Sequence, residues 1–297
     1  MFKKSLLTAA GHLGLTAVML FVCAGVVISQ GDKVKIDKEA IGNYKAKNKE
    51  FCSHTNWSNS EKVSVADLRE MNVASTGSLA VDAGRNGGIK IKGENRSDVL
   101  LRACVQAWGI SDEAARGLAA SIRINTAGGM VKAEGPSEEG WSVSYEARVP
   151  HNTNLKLNAH NGGISIGSVD GNLEFETLNG GVSLVDVAGD VRGRTTNGGV
   201  NVSLSGSSWK GAGLDVQTTN GGVNLMLPEG YAANVETGTV NGGLRSDIPA
   251  LNVTTEDEKG GWANRSKQIN TAINGGGPPI RVVTRNGGIK IGTTGRN

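Results

Sequence analysis

A three-residue phrase, Asn-Gly-Gly, constrains the fold of this chain more than any other feature. It precedes an aliphatic residue each time and begins at Asn86, Asn161, Asn179, Asn197, Asn220, Asn241 and Asn286. Two adjacent glycines lose much conformational entropy on folding, so their recurrence indicates a recurring demand of the backbone or of a ligand. The intervals from Asn161 to Asn241 are 18, 18, 23 and 21 residues. This spacing predicts one supersecondary unit stacked on copies of itself.

Apolar residues alternate with polar residues on both sides of the repeated phrase. Leu173 and Phe175 precede Asn179, for example, and Val182 and Leu184 follow it. Period two with one apolar face indicates half-buried strands, two per repeat of about 18 residues and without a crossover helix. The sequence therefore predicts an all-β fold, a flattened parallel β-solenoid of the β-helix or β-roll type with two strands per coil. Its core includes Phe175 and Leu225.

The repeated phrase is predicted to form one corner of every coil, where glycine and asparagine supply a positive φ. Stacked asparagine side chains are expected to hydrogen-bond from coil to coil. A phosphate-binding loop is the alternative. Phosphate-binding loops lead into a helix N-terminus, however, whereas the Asn-Gly-Gly phrases lead into strands. The predicted structural turn residues are Asn86, Asn161, Gly162, Gly163, Asn179, Gly180, Gly181, Asn197, Gly198, Gly199, Asn220, Gly221, Gly222, Asn241, Gly242, Gly243 and Asn286.

The first third of the repeat region is less regular. The apolar residues before Asn86 are shifted by one position, and Ala127 replaces the asparagine in "TAGG". One short helix is predicted in "SDEAARGLAAS", with Ser111 as its N-cap and Asp112 and Glu113 in its first turn. Near the other end, "INGGGPPIRVV" at Asn274 lacks the preceding apolar positions and is interpreted as a loop that leads to the last coil.

The N-terminus has the pattern of an export signal, with Lys3 and Lys4 before an uncharged run of 26 residues from Ser5 to Gln30. A cleaved signal peptide and a retained membrane anchor both fit this run. The predicted organisation is a signal peptide or membrane anchor at 1–29, a charged tether at 30–61, the β-solenoid at 62–292 and a tail at 293–297. The chain is expected to be exported to the periplasm, the outer envelope or the cell surface.

Two cysteines follow the signal, Cys52 and Cys104. In an oxidising compartment they are candidates for a disulfide bond. The alternative is that Cys104, within the apolar run "VLLRACVQAW", is a small buried side chain.

These repeats resemble the bacterial "putative adhesin" family, a domain of unknown function built from exported β-repeats. The resemblance runs from about Lys62 to Ile291 and rests on "AHNGGISI", "FETLNGGVSL", "GDVRGRTTNGGVNVSLSG", "LDVQTTNGGVNLMLPEGY" and "VETGTVNGGL". It implies a β-solenoid at the cell envelope and brings no established catalytic residues.

A chemical site would require suitable side chains on the outward face of the first strand of each repeat. Five positions before each asparagine the charges alternate in sign from Lys156 to Asp215, and three positions before it Glu176 is predicted beside Arg194, which favours cross-strand pairing on a solvated sheet. Asp215 and Glu236 alone are predicted as neighbours of like sign and are the candidate acid pair. The residues five positions before the asparagines are Lys156, Glu174, Arg192, Asp215, Glu236 and Arg281, and those three positions before are Asn158, Glu176, Arg194 and Gln217.

Other chemistry is not indicated. The net charge of +3 is too small to predict a nucleic-acid partner. The four histidines, His12, His54, His151 and His160, lack metal-ligand spacing. No catalytic residue, cofactor or metal is therefore predicted.

The functional hypothesis is a non-enzymatic envelope or surface protein, adhesive or scaffolding, which binds an envelope protein or a glycan through its polar sheet face. A carbohydrate-active parallel β-helix enzyme is the alternative, and the tryptophans leave open whether they cap the fold or stack on sugars. The ectodomain of an envelope-stress signalling system is a third hypothesis, since the N-terminal segment could anchor the chain in a membrane.

Overall fold

The computed structural model describes residues 51–52, 62–136, 139–251 and 267–294. The chain divides into two compact units, 1–53 and 54–297. In the first unit the description covers Phe51 and Cys52, which are both partly buried. The predicted export signal, most of the predicted tether and the last three residues lie outside these ranges. Within them, no helix has the length and apolar character to cross a membrane.

The second unit consists mostly of β-strands. Their bounds are β1 (Val63–Ala74), β2 (Ser78–Asp82), β3 (Ile89–Glu94), β4 (Asp98–Gly109), helix α1 (Asp112–Ser121), β5 (Arg123–Asn125), β6 (Met130–Glu134), β7 (Trp141–Pro150), β8 (Asn154–Ala159), β9 (Ile164–Gly167), β10 (Asp170–Thr177), β11 (Val182–Val185), β12 (Ala188–Asn197), β13 (Val200–Ser203), β14 (Gly213–Asn220), β15 (Val223–Pro228), β16 (Ala233–Asn241), β17 (Leu244–Ser246), β18 (Lys267–Ile273), β19 (Pro279–Asn286) and β20 (Ile289–Thr294).

The strands form two ten-stranded, mostly parallel sheets. The first has the order β1-β4-β7-β3-β9-β11-β13-β15-β20-β17, and the second β18-β16-β19-β14-β12-β10-β8-β2-β6-β5. From β8 to β15 the chain alternates between them, with even-numbered strands in the second sheet and odd-numbered strands in the first. Antiparallel pairs occur towards the ends, as between β1 and β4 and between β16 and β18.

The core lies between the two sheets and is built from the apolar positions of the repeats. Phe175 is 4% exposed and Leu225 is fully buried, so the predicted strand phase is confirmed. Equivalent residues face each other across adjacent strands, as Leu173 does with Leu155 and Val191. Because parallel strands place the same repeat positions side by side, each apolar position becomes a buried row that runs across the sheet.

Helix α1 begins as the sequence predicts. The side chain of Ser111 accepts a hydrogen bond from the backbone N–H of Ala114, and Asp112 and Glu113 lie in the first turn. At the other end the guanidinium of Arg69 donates to the carbonyls of Ala119 and Ile122. Cationic donors satisfy the last carbonyls of a helix and interact favourably with its dipole, so β1 helps to hold α1 in place.

The last repeat is not at the end of the stack. Strand β19 lies between β14 and β16, and β20 lies between β15 and β17. The repeat of Asn286 is thus inserted between the repeats of Asn220 and Asn241, which are consecutive in the sequence. The chain reaches this position through β18, which pairs with the opposite edge of β16, and through the turn that begins at Asn274. The predicted loop at Asn274 is confirmed, whereas β18 was not predicted.

Candidate binding face of the second sheet

The asparagines of the repeated phrase form a continuous line of hydrogen bonds, which we call the asparagine ladder. In each bond the side-chain amide Nδ2 of one repeat donates to Oδ1 of the neighbouring repeat on the side of Asn86, so the predicted bonding is confirmed. All seven side chains are exposed. The bonds are Asn161 to Asn86 (2.9 Å), Asn179 to Asn161 (2.8 Å), Asn197 to Asn179 (2.7 Å), Asn220 to Asn197 (2.8 Å), Asn286 to Asn220 (2.7 Å) and Asn241 to Asn286 (2.7 Å).

A second line of hydrogen bonds lies just inside the ladder and was not predicted. In most repeats a buried threonine stands two residues before the asparagine and donates to the carbonyl of the first glycine in the neighbouring repeat. Thr177 donates to Gly162 in this way, at 2.7 Å. The motif Thr-x-Asn-Gly-Gly was visible in the sequence and could have indicated these bonds. The other threonines are Thr195, Thr218, Thr239 and Thr284.

The glycines serve the backbone, but not through the predicted positive φ. Neither of the two glycines that follow each of the seven ladder asparagines has a positive φ. Instead, a Cβ on Gly180 would lie 2.1 Å from the carbonyl oxygen of Gly162, whereas one on Gly181 would lie 3.4 Å from that of Gly199. The turns of neighbouring repeats stack backbone against backbone, so the first glycine is required because no side chain fits there. Positive φ occurs instead in the turn that follows the second strand of the repeat, at Ser168 after β9 and at Asp186 after β11.

The direction of the asparagine ladder predicts which positions tolerate a carboxylate. The amide of Asn179 both donates and accepts, whereas that of Asn86 only accepts within the ladder. In Asn179→Asp the carboxylate would lose its donor and face the Oδ1 of Asn161, at a cost of about 1 kcal/mol in the free energy of unfolding. In Asn86→Asp the acceptor is kept, and we expect no loss. Urea unfolding of both variants measures the difference. Equal losses of stability would contradict a ladder in which each amide donates to its neighbour on the side of Asn86.

Outside the ladder, the outward side chains of the second sheet follow the predicted register up to β14. Glu174 lies between Lys156 and Arg192, and Arg192 lies opposite Asp215. Arg192, however, forms its ion pair with Asp190 on its own strand, at 3.1 Å.

One row further along, the sequence predicted Glu176 beside Arg194. The two side chains form an ion pair at 2.9 Å, so this cross-strand pair is confirmed.

The interpretation of Asp215 and Glu236 as adjacent acids is wrong. Strand β19 separates them and places Arg281 between the two carboxylates, with Nη1 2.7 Å from Asp215 and Nε 3.0 Å from Glu236. Burial lowers the pKa of the Arg281 guanidinium, but its hydrogen bonds to both acids outweigh this and raise the pKa above its usual value. The candidate acid pair is therefore bridged by one guanidinium.

Two shallow depressions adjoin each other on this face of the second sheet, and together we call them the central trough. Their volumes are about 740 and 630 Å³, and both are lined by Glu176, Arg194 and Gln217. Gly238 and Val283 keep the trough open near one end because their side chains are absent or short. The residues along its middle, from β8 to β18, are Asn158, Glu176, Arg194, Gln217, Val283, Gly238 and Gln268.

The remaining candidates are not drawn together. Trp209 is buried and donates from its indole N–H to the carbonyl of Gly189 at 3.0 Å, which is a structural role. The ring nitrogen Nδ1 of His151 lies 2.7 Å from the carbonyl of Ser168. His12 and His54 lie outside the described ranges, and within these ranges no three His, Cys, Asp or Glu side chains are grouped as metal ligands.

The predicted disulfide concerns Cys52 and Cys104. Cys104 is 2% exposed on β4. Its pairing with Cys52 stays a prediction.

No model of a known protein family matches the sequence, and no curated protein matches it either. Among solved structures, a "putative cell adhesion protein" from Clostridium sporogenes ATCC 15579 is similar with a TM-score of 0.40 at 12% identity, covering 77% of this chain and 100% of that one. A "putative lipid binding protein" from Parabacteroides distasonis ATCC 8503 gives 0.30 at 12% identity, covering 77% and 97%. A "putative adhesin" from Bacteroides fragilis NCTC 9343 gives 0.26 at 10% identity, covering 77% and 97%. At these TM-scores the likeness assigns neither family nor function to this chain.

Proposed function

We propose that this chain is a non-enzymatic protein of the cell envelope or cell surface, with an adhesive or scaffolding role, that binds through the polar face of its second sheet. The central trough is the observation that carries this proposal. It crosses seven strands, which corresponds to about 29 Å at the usual strand spacing of about 4.8 Å. An open groove of this length suits an extended polymer, whereas small-molecule sites are concave and enclose most of the ligand.

The proposal includes a flattened β-solenoid over residues 62–292 with two strands per coil. The alternation of the chain between the two sheets from β8 to β15 supports it. In such a stack the asparagine ladder and the threonine bonds fix the register of every turn. The outward side chains then repeat at the strand spacing, which gives a polymer with regularly spaced groups a rigid matching surface.

The engagement of the acidic side chains supports a non-enzymatic role. Glycosidases use a pair of carboxyl groups, one as a proton donor and the other as a base or nucleophile. Of the four described acids that line the central trough, all but Glu174 are engaged: Glu176 is paired with Arg194, and Asp215 and Glu236 are both bonded to Arg281. These carboxylates act as partners of guanidinium groups in the sheet surface.

The N-terminal sequence supports the proposed location. The N-terminal sequence has the basic and apolar segments of a signal peptide or membrane anchor, and a chain so targeted would present its repeats outside the cytoplasm.

The test is a binding assay of the full chain against isolated envelope glycan and envelope protein fractions. Val283→Arg should fill the floor of the central trough and weaken binding about tenfold or more. The matched control is Asn201→Arg, which adds the same side chain to an exposed position on the first sheet, and it should leave binding unchanged. Loss of binding in the control alone would contradict the assignment to the second sheet. Release of soluble sugar fragments would favour the carbohydrate-active alternative.

A further inference from the structure

Two identical heptapeptides occupy different positions in the asparagine ladder. Residues 85–91 and 285–291 both read RNGGIKI, so each presents the dipeptide Asn-Gly with the same flanking residues. In this dipeptide the backbone nitrogen of the glycine can attack the side-chain amide of the asparagine, because glycine has no side chain to obstruct the approach. Any difference in reactivity between Asn86 and Asn286 in the folded chain must therefore come from the structure around them.

Asn286 lies inside the ladder, and its reacting groups are held by hydrogen bonds. Its Nδ2, the leaving group of the reaction, donates to Oδ1 of Asn220 at 2.7 Å. The N–H of Gly287, which carries the attacking nitrogen, donates to the carbonyl oxygen of Asn241 at 3.1 Å. Both bonds must break during the reaction, which slows it.

Asn86 lies at the end of the ladder, and its corresponding groups lack these bonds. Within the described ranges its Nδ2 has no hydrogen-bond acceptor, and Gly87 does not form the bond that Gly287 makes. Close approach does not distinguish the two sites. A Cβ on Gly87 would lie 1.9 Å from the carbonyl oxygen of Val143, and one on Gly287 would lie 2.0 Å from that of Gly221.

The bond that Asn86 does make favours the reaction. Asn161 donates from Nδ2 to Oδ1 of Asn86 at 2.9 Å. Negative charge develops on this oxygen when the amide is attacked, and a hydrogen-bond donor placed there stabilises the transition state. Asn241, at the other end of the ladder, has the opposite arrangement: its Nδ2 donates to Asn286, and no asparagine of the described residues donates to its Oδ1. The direction of the ladder therefore activates Asn86 and not Asn241.

We propose that Asn86 is a site of spontaneous deamidation in the folded chain, activated by Asn161. The nitrogen of Gly87 loses its proton to solvent base and attacks Cγ of Asn86, and the tetrahedral intermediate releases the Nδ2 group as ammonia. Water then opens the resulting cyclic imide at either carbonyl, which gives aspartate or isoaspartate. The net reaction consumes one water, releases one ammonia and involves no oxidation.

The two products differ in how they fit the ladder. Aspartate keeps an acceptor for the amide of Asn161 and places a negative charge at one end of the ladder. Isoaspartate lengthens the main chain by one methylene group in a closely stacked turn, where a Cβ on Gly162 would lie 2.0 Å from the carbonyl oxygen of Gly87. Deamidation therefore changes this end of the ladder either in charge or in the path of its backbone.

The experiment incubates the full chain at physiological temperature and mildly alkaline pH and follows deamidation by mass spectrometry. Cleavage after glutamate separates the two sites into peptides 71–94 and 259–297, whereas trypsin would release the same peptide, NGGIK, from both. We expect Asn86 to react at least about tenfold faster than Asn286 in the native chain, because two fewer hydrogen bonds must break. In guanidinium chloride the two asparagines should react at the same rate, since their flanking residues are identical.

Three variants test the assignment in the native chain. Asn86→Gln should abolish the reaction at this position, because glutamine would have to close a larger ring. Asn161→Ala removes the donor to Oδ1 and should slow deamidation of Asn86 several-fold. Asn286→Gln is the matched control and should leave the rate at Asn86 unchanged.

Three results would overturn the proposal. Equal rates at Asn86 and Asn286 in the native chain would show that the ladder does not control the reaction. Faster reaction at Asn241 than at Asn86 would contradict the role of its direction. Faster deamidation of Asn86 in Asn161→Ala would show that the bond from Asn161 restrains the amide instead of activating it.

Discussion

Replacing Gly180 by alanine is expected to lower the free energy of unfolding by about 2 kcal/mol, because the added Cβ would overlap the stacked backbone of the neighbouring repeat. The nearest atom is the carbonyl oxygen of Gly162, 2.1 Å away, and it also accepts the hydrogen bond from Thr177. Backbone atoms of closely stacked turns cannot move aside as a flexible side chain can. Urea unfolding monitored by circular dichroism measures the loss.

Two further variants separate close approach from backbone conformation as the reason for this glycine. Gly181→Ala is the matched control, since its Cβ would lie 3.4 Å from the nearest atom, and we expect little change in stability. Gly180→Asn tests the conformation, because asparagine tolerates a positive φ better than other non-glycine residues. Close approach predicts that asparagine is at least as harmful as alanine. If asparagine were tolerated and alanine were not, the positive φ first predicted from the sequence would be the better account.

Replacing Phe175 by alanine is expected to cost about 3–5 kcal/mol, the usual loss when a buried phenylalanine leaves a cavity. Its ring is 4% exposed and lies over Gly193 on the adjacent strand, where a Cβ would be 2.0 Å from the ring atom Cε2. Glycine has no side chain that could move into the vacated space. The cavity should therefore stay open, which places the expected loss at the upper end of the range. Urea unfolding of this variant beside the parent chain measures it.

The contact between Phe175 and Gly193 can be tested by a double-mutant cycle. Gly193→Val alone should destabilise the protein because the valine would collide with the phenylalanine ring. Combined with Phe175→Ala, the valine would occupy part of the cavity, so the double variant should be more stable than Phe175→Ala alone. Additive losses would show that the ring and Gly193 are not in contact.

The periodic features of this fold could be read from the sequence because they depend on neighbours in the chain. Alternation at Leu173 and Phe175 determines which side chains face the core, and Ser111 marks the start of α1. The hydrogen bonds of the asparagine ladder were also predictable, because equivalent residues of a parallel stack lie side by side. The reason for Gly180 was not, since a positive φ and close approach both select glycine, and only the folded backbone around Gly162 distinguishes them.

The order of the repeats could not be predicted for a related reason. Residues 85–91 and 285–291 have the same sequence, RNGGIKI. The first copy lies at one end of the asparagine ladder, and the second lies inside it. Local sequence specifies the form of a repeat but not its neighbours. The error about Asp215 and Glu236 followed directly, because their adjacency was inferred from order along the chain.

The inserted repeat has a consequence for how the molecule can be assembled as it emerges from the ribosome or from an export channel. Residues 213–228 with β14 and β15 appear first, residues 233–246 with β16 and β17 follow, and the strands that must separate the two pairs, β19 and β20, come last. Docking in the order of emergence would pair β16 with β14 and bring the carboxylates of Asp215 and Glu236 together without Arg281. The native arrangement therefore forms only after the final strand is available, through contacts between distant segments that close slowly. A chain truncated before residue 279 would retain most of its repeats and yet lack the element that gives its C-terminal third the native order.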